Sequence, residues 1–129
     1  MAILVGLALA LIACVGAAWS GMDRDRALYP TLLIVIATYY VLFAVQDGRG
    51  PVLVRETALA MMFSMLALAA FRQRPWLVVA GLVAHGVLDL VHDSIVQDAG
   101  VPYFWPNFCF AFDLTAALFV AFVVGRRRW

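Results

Sequence analysis

The sequence predicts an all-α fold, a polytopic membrane protein built as an antiparallel bundle of five transmembrane helices, and three observations carry that reading. Of 129 residues, 66% are hydrophobic and only 13% charged, with a mean hydropathy of +0.97, where a soluble domain carries about twice that charged share. Polar breaks divide the chain into five apolar stretches, each near the roughly 20 residues a helix needs to cross the hydrocarbon core. The breaks are short, so consecutive helices are expected to lie side by side and antiparallel. Residues 1–129 are therefore read as a single transmembrane domain, with no stretch long enough for a soluble domain and no repeat or low-complexity linker.

The first helix is expected over about 2–19, ended by Ser20-Gly21 and the charged run Asp23-Arg24-Asp25-Arg26. No basic residue precedes this apolar run, which argues against a cleaved signal despite the small residues Gly16, Ala17 and Ala18. The second, about 29–46, opens with Pro30, well tolerated in a first helical turn. Asp47-Gly48-Arg49-Gly50-Pro51 then reads as a turn. The third covers about 52–71 and stops at Arg72-Gln73-Arg74-Pro75; the fourth covers about 75–96. Gln97 to Pro102 breaks the chain again, and the fifth helix, about 103–124, ends at Gly125 and three arginines.

All nine basic residues are arginine and the net charge is +1, which gives no basic surface for nucleic acid. Their distribution suggests an orientation. Arg24, Arg26, Arg72, Arg74 and Arg126 to Arg128 fall on one side of the bundle, against Arg49 and Arg55 on the other. Cytoplasmic loops collect arginine, so the C-terminus is expected in the cytoplasm and the N-terminus outside. Tyr103, Phe104 and Trp105 then mark the outer interface, and Trp76 and Trp129 the inner one.

The chemistry concentrates in His85-Gly-Val-Leu-Asp89-Leu-Val-His92-Asp93, four ionisable groups on one face of the fourth helix. Ionisable side chains at membrane depth are costly unless paired, ion-bound or wet, so such a cluster is a functional-site hypothesis. At 1.5 Å per residue, His85 lies about 15 Å from the outer end of its helix, near mid-membrane. Asp113 in the fifth helix is at similar depth. His92, Asp93 and Glu56 lie nearer the outside, describing a polar funnel that opens outward.

The spacings His85 to Asp89 and Asp89 to His92 allow two side chains of one helix to reach one cation. His85, Asp89, His92 and Asp113 are thus candidate metal ligands, and Glu56, Asp93 and Asp113 candidate acid–base residues. Imidazole with carboxylate suits zinc first, with iron or manganese as alternatives. Only one carboxylate-x-x-His step is present, so one metal is expected rather than a di-iron pair. Cys14 and Cys109 read as small core residues, although Cys109 shares a helical face with Asp113. Tyr40 is a possible hydroxyl donor to the site, and Met61, Met62 and Met65 read as core or pocket wall. The plainer alternative is that these polar groups only hydrogen-bond between helices.

Ala84-His85-Gly-Val-Leu-Asp89-Leu-Val-His92, followed by Val101-Pro102, Trp105-Pro106, Cys109 and Asp113, resembles a small family of bacterial integral membrane proteins of unknown function. The resemblance covers roughly the C-terminal third. It implies a multi-pass protein of the bacterial inner membrane and supports the residue list, with Asp93 standing where that family often has a further His. A fainter similarity is to membrane hydrolases that hold zinc with His and Asp, but those have seven helices and more His ligands.

Three function classes follow. One is a metal-dependent enzyme acting on a lipid or other apolar substrate, with membrane lipids as partners and homo-oligomers or a larger membrane complex as settings. A second is a proton or metal-ion relay, although the inner halves of the fourth and fifth helices carry no acid or imidazole to continue one. A third is a structural or accessory subunit. Bis-His haem within one chain is excluded, because the only two histidines lie about 10 Å apart along one helix and cannot clamp one macrocycle between them.

Overall fold

The computed structural model describes residues 1–126; Arg127, Arg128 and Trp129, which enter the orientation argument, lie outside the described residues. Five α-helices form: α1 Ala2–Ser20, α2 Leu28–Asp47, α3 Gly50–Arg72, α4 Trp76–Ile95 and α5 Trp105–Arg126, with a short 3-10 turn Met22–Arg24 between α1 and α2. At 19 to 23 residues each is long and apolar enough to span a membrane.

Local chemistry sets the boundaries. Proline sits in the first turn of α2 (Pro30), α3 (Pro51) and α5 (Pro106) and immediately before α4 (Pro75), where a missing N–H costs no helical hydrogen bond. Gly48 ends α2 at φ 80° and donates its N–H back to the Ala44 carbonyl. That left-handed cap is open to glycine at little cost.

The helices associate through small residues. Gly6, Ala10 and Cys14, spaced by four, are the buried residues of α1, and they face α5: a Cβ added at Gly6 would collide with the Phe108 carbonyl oxygen and press on Ala111. In lipid, where apolar burial drives little, such close backbone approach is what holds helices together. α1 therefore packs along α5, rather than along α2 as the short connection suggested. The N-terminal ends of α1 and α5 meet, Met1, Ala2 and Val5 lying against Tyr103 to Trp105 and Phe108, so these two helices run parallel.

α4 is the hub. It packs against α5 on one side and against α3 and α2 on the other, while α2 and α3 pack along each other. The core contains Leu33, Ala37, Phe63, Ala67, Leu82, Ala116, Ala117 and Val120. Met61, Met62 and Met65 are exposed on the outer surface of α3 and face away from the core.

One end of the bundle carries the α2–α3 turn and the α4–α5 loop, and these are tied together. Asp47 and Arg49 form a two-pronged ion pair, both contacts at 2.6 Å. Arg49 also donates to the Gln97 carbonyl and Ala99 N–H donates to Asp47, each at 2.7 Å. Gly100 presses onto the end of α2 so closely that a Cβ there would strike the Phe43 carbonyl.

Candidate metal centre

His85 and Asp89 stand one turn apart on α4, and Cys109 and Asp113 one turn apart on α5, so each helix presents two donors on a single face. Gly86 brings the faces together: a Cβ there would lie 3.3 Å from the Asp113 Cβ. One ligand atom from each of the four residues falls within 4.8 Å of the others, and all four side chains are buried, none more than 3% exposed.

The hydrogen bonds leave the site unevenly satisfied. His85 Nδ1 lies 2.7 Å from Asp113 Oδ2 and 3.7 Å from Asp89 Oδ2. The Tyr40 hydroxyl donates to Asp89 Oδ1 at 2.6 Å. Each carboxyl therefore has one oxygen in a short contact, while among the described residues Oδ2 of Asp89 and Oδ1 of Asp113 have no close hydrogen bond of their own and sit among the Cys109 thiol, His85 and the facing carboxyl. The Cys109 thiol lies beside Asp89. Two facing carboxyls in an apolar interior require positive charge or shared protons between them.

A divalent cation meets that requirement. A tetrahedral zinc shell needs donor spacings of about 3.3–3.8 Å. To fit such a shell the donors, spread over up to 4.8 Å, would draw together and the 2.7 Å His85–Asp113 contact would open. Nitrogen, sulfur and two carboxylate oxygens make a complete tetrahedral donor set.

Of the residues singled out from sequence, His85, Asp89 and Asp113 come together here. His92 faces elsewhere: its Nε2 lies 2.7 Å from Glu56 Oε1, in a second buried pair one turn closer to the tied end. Asp93 is exposed on α4. Cys109 enters the donor group through the face it shares with Asp113. Tyr40 joins the two clusters, since its ring stacks on His92 at 4.0 Å between centroids and 22° between planes while its hydroxyl holds Asp89. Phe63 closes the other side of His85, edge on at 4.9 Å.

Polar groups thus run from Asp98 in the α4–α5 loop, through Glu56 and His92, to Asp89, His85 and Asp113, in the direction of the expected funnel. Their end is covered, because Glu56, His92 and Asp98 are all buried and the tied loop lies over them. Beside it, a cleft of about 640 Å³ is lined by Arg49, Arg55 and residues 94–97. No family model, curated protein or solved structure matches the chain.

Proposed function

We propose that this multi-pass membrane protein holds a single divalent metal ion, zinc by donor chemistry, between α4 and α5. The observation that carries the reading is the buried convergence of four donors, His85, Asp89, Cys109 and Asp113, within 4.8 Å of one another, two of them carboxyls that face each other without a full set of close hydrogen bonds. Burying two carboxyls side by side costs solvation, and a bound cation would offset that cost. Iron and manganese are the alternatives, and the sulfur disfavours manganese.

Catalysis on a lipid or other apolar molecule, the use expected from sequence, needs a coordination position for water. Four protein donors fill a tetrahedral shell, so the geometry supports a metal-holding centre ahead of a hydrolytic one. For an enzymatic role, Glu56 and His92 would supply a further acid–base pair beside the four donors. The relay reading has its own support in the string Glu56–His92–Tyr40–Asp89. The motif resemblance to bacterial membrane proteins and the arginine bias favour a bacterial inner membrane with the tied end outside.

Elemental analysis of detergent-purified protein tests the metal. Wild type should carry about one zinc per chain, a His85→Ala/Cys109→Ser variant should lose it while remaining helical, and His92→Gln should keep it. Wild type that takes up none of zinc, iron or manganese would overturn the metal reading and leave the relay and the structural subunit readings.

A further inference from the structure

We infer that Tyr40 is a selectivity residue, which confines Asp89 to one metal-binding oxygen and so tunes the centre to a small four-coordinate ion. The inference rests on the metal reading above and adds which ions are rejected and why.

A carboxylate binds a metal through one oxygen or through both, and the choice sets coordination number. Zinc is satisfied by four single donors, whereas manganese and other hard divalent ions seek about six and readily take both oxygens of a carboxylate. At Asp89 the choice is already made. Oδ1 accepts from the Tyr40 hydroxyl at 2.6 Å, while Oδ2 lies 3.7 Å from His85 Nδ1. Tyr40 is itself fixed by stacking on His92 and by an edge contact to Phe43, and His92 is anchored to Glu56. The phenol oxygen lies on the axis of a ring held by that stack, so its position beside Oδ1 is set by the packing of α2 and α3 against α4. Asp113 differs: its engaged oxygen is held by His85, a candidate ligand that metal binding would itself reorganise. Tyr40 is therefore the one restraint among these that persists when the ion arrives.

The test compares wild type with Tyr40→Phe, which keeps the ring and its stack and deletes only the oxygen. Zinc affinity is read by chelator competition and manganese affinity by electron paramagnetic resonance, in detergent-solubilised protein. Loss of an orienting hydrogen bond of this kind typically weakens metal binding by about 10-fold or more. We expect zinc affinity in Tyr40→Phe to fall by roughly 10-fold while manganese affinity holds or rises, so that the zinc-to-manganese ratio falls. An unchanged ratio would overturn the assignment. Should Tyr40→Phe fail to fold, zinc-edge X-ray absorption on wild type decides: four ligands with one sulfur supports the assignment, and five or six ligands overturns it. Wild type that binds neither metal would sink the metal reading itself, a result distinct from a zinc site indifferent to Tyr40.

Discussion

Cys109 separates a soft centre from a hard one. On the metal reading, a sulfur donor would favour zinc; with a hydroxyl in its place the donors would be one imidazole and oxygens, which suit harder ions. Cys109→Ser removes little volume at a buried position, so the bundle should survive while zinc affinity drops by about 10- to 100-fold, read by the same chelator competition. Unchanged affinity would take the thiol out of the shell. Asp98 makes a prediction about pH. Burial, together with repulsion from Glu56 and Asp47, raises its carboxyl above the ordinary aspartate value, against the Gly100 N–H that holds it at 2.9 Å. A carboxyl raised in the folded state binds its proton more tightly there than when unfolded. Its stabilising share is therefore complete below the ordinary value and is lost as pH rises through the raised one. Melting temperature should fall over that window in wild type, and the contribution should vanish in Asp98→Asn, whose amide oxygen still accepts from Gly100.

Among the elements, α1 shows what short connections conceal. All five helices were legible in the sequence, because composition and length decide them, and the prolines and Gly48 placed their ends. The partner of α1 was not. Loop length argued for α2, whereas the stripe Gly6, Ala10 and Cys14 decided for α5, and the stripe acquires meaning only once the matching small residues of α5 stand opposite it. The site divides similarly: His85 and Asp89 were readable from spacing on one helix, but the pairing of His92 with Glu56 depends on how α3 and α4 rotate against each other. Gly6→Leu should detach α1 and lower the melting temperature, with the four donors on α4 and α5 still able to bind zinc; loss of zinc together with α1 packing would show that the α4–α5 face needs α1 behind it. The tie across the α2–α3 turn makes a kinetic prediction. Arg49→Ala frees the Gln97 carbonyl and leaves Asp47 without its ion pair, so the 97–100 loop should open more often. Zinc uptake and release, followed by stopped flow, should both accelerate, with equilibrium affinity little changed. Equal rates in variant and wild type would place the entry route elsewhere.

For the molecule as a whole, the direction in which it sits would decide which compartment could supply an ion to the proposed centre. Arg24, Arg26, Arg72, Arg74 and Arg126 cluster at the end away from the Asp47–Arg49 tie, and the positive-inside tendency puts that end in the cytoplasm. The tie, the cleft beside it and the polar string leading to the metal centre would then face outward, so the ion would be captured from outside the membrane. Chemical labelling separates the two orientations. The native thiols Cys14 and Cys109 are buried, so a cysteine introduced at exposed Gln97 or Gln73 reports against a quiet background. In intact cells an impermeant maleimide should label Gln97→Cys and spare Gln73→Cys until the membrane is opened. The reverse pattern would invert the molecule and give its metal centre a cytoplasmic supply. Labelling of both in intact cells would mean that the arginine bias is too weak to fix one orientation, and the centre would then be reached from both sides of the membrane in different copies of the chain.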